Sequence, residues 1–204
     1  MANSRYRLRR ILEIIHESLN RTKMSLAAYK YLSTQIESKP IKIASNFFQT
    51  ARKATFCEAV LGITRLSEND KEAINFKLLL DIVENHPRIL PYNLVGMESL
   101  VAYQREKLAS LDPILQTLRP IRDRELAHLD RKHINDPQVV TTNTVPISDL
   151  SHCTEILSQI LAEIWQTFYG VPYPGFEDEA LISKELEALW TIIEDHLEKA
   201  RHGE

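Results

Sequence analysis

The chain is poor in glycine and cysteine, carries no excess of positive charge and has no long apolar run. Five glycines in 204 residues are too few for the many tight turns of a β-rich or dinucleotide-binding α/β chain. Two cysteines, Cys57 and Cys153, make no disulfide framework. Each stands in an apolar helical context and reads as a reduced core residue of a cytoplasmic protein. Apolar residues near the N-terminus are interrupted by arginines, which argues against a secretory leader. No stretch approaches the roughly 18 to 20 apolar residues of a membrane span, so no membrane is expected as a partner. The formal net charge of −3 supplies no global attraction for nucleic acid, and any such binding has to come from a local basic patch.

What remains is an ordinary soluble composition, 44% hydrophobic and 26% charged, long enough for one domain over residues 1–204 with a substantial core. The apolar spacing predicts an all-α chain. From about Ser4 to Glu37, Leu8, Ile11, Leu12, Ile15, Leu19, Leu26, Tyr29 and Leu32 recur at helical intervals. Ser38-Lys39-Pro40 breaks that pattern. A second helix from about Ile43 to Leu66 has a small-residue inner face of Phe47, Ala51, Ala54, Val60, Leu61 and Thr64. Ser67-Glu68-Asn69-Asp70 offers an N-cap for a third helix over about Lys71–Asn85.

Residues from about Met97 to Asp130 form a fourth helical stretch. It restarts at Asp112-Pro113, with proline at the favourable first helical position, and is expected to kink or break just before Pro120. Ile134 to Pro146 reads as a loop, and Ile147 to Tyr169 as a helix with Leu150, Ile156, Leu157, Ile160, Leu161, Ile164 and Phe168 on its apolar side. A Pro/Gly linker over Gly170–Gly175 leads to a last helix at about 178–201, outside a core of about 5–170.

The chemistry concentrates in Ile121-Arg122-Asp123-Arg124-Glu125-Leu126-Ala127-His128-Leu129-Asp130. At about 100° per residue, Leu111, Leu115, Leu118, Leu126 and Leu129 form one stripe with Arg122 in its middle. A buried guanidinium needs a partner, a polar cleft or a ligand. Glu125, three residues on, is one candidate partner, and His128 is then a helix-end histidine beside the negative dipole end. The other candidate is a phosphodiester. Histidine titrates near neutrality and suits proton transfer; arginine holds phosphate oxygens through two donors; Asp123 can orient either group. Positions 122 and 128 lie about 240° apart on an ideal helix. They converge only if the helix ends or bends near the motif, or if a partner chain completes the site.

Arg122-Asp123, four residues and His128 resemble the signature of the HEPN superfamily (higher eukaryotes and prokaryotes nucleotide-binding): an arginine followed by a polar residue, with four to six positions separating arginine from histidine. Arg-Asp-Arg-Glu-Leu-Ala-His-Leu-Asp is similar in particular to the AbiU-like abortive-infection branch. So is Ala59-Val60-Leu61-Gly62-Ile63-Thr64-Arg65-Leu66-Ser67 followed by Asp70, and the likeness extends by helix order over about residues 5–195. The resemblance implies a bundle of about four core helices with flanking ones, running up and down and dimerising along the motif helices. It implies a metal-independent endoribonuclease of a defence or toxin–antitoxin system, needing no cofactor. Its partners would be RNA, a second copy of the chain and a cognate antitoxin or neighbouring defence protein. Arg122 would bind the scissile phosphate, His128 would be the acid/base residue and Asp123 the orienting group. The alternative is a non-catalytic interaction or regulatory module in which Arg122 and Glu125 are a structural ion pair.

Two basic clusters can supply a local patch. Arg119, Arg122, Arg124, Arg131 and Lys132 surround the motif and are the expected RNA contacts. Arg5, Arg7, Arg9 and Arg10 read more simply as a solvated helix face. A metal-dependent nucleotide hydrolase is a third class, but His128 and His133 are five apart and do not share a helix face as ligands four apart do. Ser151-His152-Cys153 is no nucleophile–base pair, since adjacent helical residues diverge by about 100°. His16, His86, His196 and His202 have no supporting pattern. Trp165 and Trp190 suit apolar helix faces, while Tyr169, Tyr173 and Phe176 are candidates for exposure.

Overall fold

Leu8, Ile11, Leu12, Ile15, Leu19 and Leu26, all at most 4% exposed, wind the first helix into the spine of the molecule. The computed structural model describes residues 2–38, 45–68, 73–86, 97–126, 145–176 and 179–202. Among these it forms seven helices and no strand: α1 (Ala2–Ser38), α2 (Ser45–Ser67), α3 (Phe76–Asn85), α4 (Met97–Ala109), α5 (Asp112–Leu126), α6 (Ile147–Tyr169) and α7 (Glu179–His202). At 37 residues, α1 is about 55 Å long and packs against α2, α3, α6 and α7. The described residues form an all-α helical bundle, as the apolar periodicity predicts.

The main core joins α1 to Ala59, Val60, Ile63 and Leu66 of α2, Leu79, Leu80 and Val83 of α3, Leu111 just before α5, Leu115 and Leu118 of α5, and the Leu150–Phe168 face of α6. A smaller core holds α7, with Trp190 clustered with Leu32 and Phe48 and its ring 4.7 Å from that of Phe48. Gly62 lets α2 approach α1 closely: a Cβ there would stand 2.9 Å from the Cβ of Thr22. Thr22 is itself 2% exposed and donates its hydroxyl to the Ser18 carbonyl at 2.8 Å. Gly170 ends α6 with φ 69°, a left-handed conformation that glycine adopts freely.

Several expectations need correction. Phe47 is 63% exposed and Ala54 is exposed too; the inner face of α2 keeps Val60 and Thr64 as expected and adds Phe48, Ala59 and Ile63. α3 begins at Phe76, not Lys71. Asn75 is its cap, accepting the Leu78 amide at 2.8 Å, because Phe76, the first residue needing full burial, follows it directly. α5 runs unbroken through Pro120. Pro120 and Gln116 both face solvent, where water can serve the carbonyl that proline leaves without its helical donor. The 134–144 part of the expected loop lies outside the described residues.

Candidate functional site

Leu111, Leu115 and Leu118 anchor α5 in the core at 0 to 1% exposure, and helical rotation brings Arg119 and Arg122 to the edge beside α2. At that edge Glu68 extends the end of α2, its amide bonded to the Thr64 carbonyl at 2.9 Å. Buried Thr64, Leu66 and Ser67 hold this turn against the core. One carboxylate thereby meets two guanidiniums from another helix.

Arg122 Nη1 donates to Glu68 Oε2, and Arg119 Nε donates to Glu68 Oε1 at 3.2 Å. Asp123 closes the third side, its Oδ1 2.8 Å from Arg122 Nε and 2.7 Å from Arg122 Nη2. The side chains of Glu68 and Arg122 are 17% and 24% exposed, against 64% for Asp123. Arg122 is therefore a partly exposed guanidinium and not a buried one; the side chains of Leu126 and Leu129, which complete its expected leucine stripe, lie outside the described residues. Of its five N–H donors, the described contacts occupy three, on Nε, Nη1 and Nη2. One N–H on each terminal nitrogen remains, and such donors suit two oxygens of one anion. Two cations and two carboxylates leave the cluster formally neutral.

Glu68 is the residue that sequence reading missed. The expected partner, Glu125, shares a helix with Arg122, but its side chain lies outside the described residues, as do those of Arg124 and Leu126. Glu68 is 54 residues away from Arg122 in sequence and has no periodic relation to it. Its only signal was a carboxylate directly after the second-helix segment of the family resemblance. His128, Leu129, Arg131, Lys132 and His133 also fall outside the described residues. Of the expected site residues, the structure thus brings together Arg119, Arg122 and Asp123.

Among the described residues no three His, Cys, Asp or Glu side chains converge as a metal site. No described helix is long and apolar enough to cross a membrane. Cys153 is fully buried, and that burial pushes its thiol up to about 12. It is inert as a nucleophile near neutral pH. Ser151 spends its hydroxyl on the Ile147 carbonyl.

A second constellation surrounds His16. Its ring stacks on Phe176, with centroids 5.6 Å apart and planes 8° from parallel, and its Nδ1 shares a hydrogen bond with the Tyr173 hydroxyl. Trp165 tilts against the same ring at 6.1 Å, and Lys23 sits 4.4 Å above Phe176. Burial raises the Tyr173 hydroxyl far above the ordinary phenol range. Tyr169, Tyr173 and Phe176 are therefore half-buried, correcting the expectation of exposure: they pin the segment after α6 onto α1. His16 lacked a pattern because its ring partners come from the far end of the chain.

The HEPN_AbiU2 family model, described as AbiU2, matches residues 6–186. No curated protein and no solved structure matches the chain.

Proposed function

The chain belongs to the HEPN_AbiU2 family, and from that membership we propose that it is a metal-independent endoribonuclease of an abortive-infection or toxin–antitoxin system. The observation that carries this reading is the half-exposed Arg122 guanidinium. Asp123 and Glu68 orient it, Arg119 lies beside it, and two of its terminal N–H donors are not taken up by the described contacts. Such a group suits the equatorial oxygens of a phosphorane, whose charge peaks in the transition state.

In the proposed reaction a base removes the proton of the RNA 2′-hydroxyl. The freed oxygen attacks the adjacent phosphorus, and the 5′-oxygen of the next nucleotide departs with a proton from an acid. The products are a 2′,3′-cyclic phosphate and a 5′-hydroxyl end. His128 is assigned the proton transfer, Arg122 the phosphate, and Asp123 the orientation of Arg122. Arg119, Arg124, Arg131 and Lys132 are assigned the flanking phosphates. Two copies of the chain, apposed along their motif helices, would place two sets of Arg122 and His128 in one cleft. That arrangement meets the angular separation of the two residues.

The test is RNA cleavage by the purified chain freed of any cognate partner. His128→Ala and Arg122→Ala are each expected to abolish cleavage with helicity and dimerisation kept. A wild-type chain that never cuts RNA ends the enzyme assignment.

One observation favours a second reading. Arg122 already has a carboxylate partner on another helix, so the pair can serve solely to clip α5 to α2 within a non-catalytic interaction or regulatory module. In that case His128→Ala is silent and Arg122→Ala acts on stability alone.

A further inference from the structure

The N-terminal turns of α1 carry a charge arrangement that helix stability does not explain. Between Arg5 and Lys23 there are six lysines and arginines and two carboxylates, in a chain whose net charge is −3. The first turn of α1 holds no acid; Arg5 stands in that turn, where a cation opposes the macrodipole, and Arg7, Arg9 and Arg10 follow within the next two turns. Glu13 alone serves both Arg9, at 2.9 Å, and Arg10, at 3.5 Å. No carboxylate pairs with Arg5 or Arg7 among the described residues. Arg5 instead lies over the Phe168 ring at 5.8 Å, which fixes its position without neutralising it. Within this cluster Tyr6 turns its ring outward, 69% exposed. The expectation of a plain solvated face covers the arginines but not this ring.

We infer that the surface formed by Arg5, Tyr6, Arg7, Arg9 and Arg10 binds single-stranded RNA, the arginines holding phosphates and Tyr6 stacking on a base. Local positive charge in an acidic protein selects a polyanion, and an exposed ring among the cations adds the sequence-tolerant stacking contact typical of single-strand binders. An acidic peptide would use the arginines and leave the ring idle; a duplex would offer it no unstacked base. The choice of RNA as the polyanion rests on the ribonuclease reading, whereas the surface itself does not involve Arg122.

The experiment is fluorescence anisotropy of the full chain with a short labelled 2′-O-methyl oligouridylate, which cannot be cut through its 2′-oxygen, over a salt series. Arg7→Ala combined with Arg10→Ala should weaken binding about tenfold and flatten the log–log salt slope by about 1.4, two phosphates at about 0.7 each. Tyr6→Ala should weaken binding by about 5- to 150-fold, and Tyr6→Phe, which keeps the ring, by less than about twofold. Circular dichroism should be unchanged, since these side chains are exposed. An unaltered salt slope, an indifferent Tyr6→Ala, or equal affinity for oligoglutamate or for duplex RNA overturns the inference. RNA cleavage with binding untouched by these variants removes this surface and leaves the Arg122 site standing. Binding lost in the variants of a chain that never cuts RNA upholds the surface and removes the endoribonuclease.

Discussion

Replacing Glu68 by alanine separates what holds α5 from what binds substrate. The substitution removes the contact to Arg122 Nη1 and the 3.2 Å contact to Arg119 Nε. A charge-assisted hydrogen bond contributes about 1.5 to 3 kcal/mol when well buried, and an exposed ion pair about 0 to 1. With side-chain exposures of 17% for Glu68, 24% for Arg122 and 44% for Arg119, the Arg122 contact dominates. The loss should be about 1 to 2 kcal/mol, with a few tenths more from the two arginines now facing each other one turn apart. For a chain of this size that is a fall in Tm of about 2 to 8 °C. Arg122→Ala should cost a similar amount, and the double variant scarcely more than either single one, giving a coupling energy of about 1 to 2 kcal/mol. The assay is a urea melt of all four proteins with RNA cleavage measured in parallel. The nuclease reading expects Glu68→Ala to keep measurable cleavage, because Arg122 retains Asp123, and Arg122→Ala to have none. Strictly additive losses of stability would refute the clip between α2 and α5.

Three other outcomes follow from the packing. Gly62→Ala should cost up to about 2 kcal/mol, the overpacking against Thr22 exceeding the gain in helix propensity; Thr22→Ala in the same chain should recover part of that loss in a thermal melt. Trp190→Ala should cost about 3 to 5 kcal/mol, whereas Trp190→Phe should cost far less, because the buried indole N–H has no acceptor among the described residues; equal losses would contradict this. Cys153 stays protonated when folded up to about pH 12, against an ordinary 9.0. The unfolded chain therefore releases that proton first as pH rises, stability falls from about pH 9 upward, and Cys153→Ala should flatten the fall in a pH series of melts.

The helices were legible because burial follows the 3.6-residue period: the described apolar residues of the α1, α5 and α6 stripes are core residues or pack against the core. Local choices between equivalent signals were not. Ser67, Asn69, Asp70 and Asn75 are all good N-caps, and only the packing of Phe76 selects Asn75. Pro120 forecasts a break wherever its turn is buried, but which side of α5 faces water is decided by the neighbouring helices. At the site, Arg122 declared itself as a cation in an apolar stripe. Glu68 did not, since an ion pair between helices leaves no spacing to read. The same holds for His16, whose stacking partner Phe176 is 160 residues on in the sequence.

The most direct test of the proposed chemistry is cleavage of a defined RNA by the purified chain in excess chelator, beside the same RNA carrying one 2′-deoxy nucleotide at the cut. The account predicts a 2′,3′-cyclic phosphate product from the first and no cut at that position in the second. Cleavage of the deoxy-substituted RNA at the same position, or activity that vanishes in chelator, contradicts it.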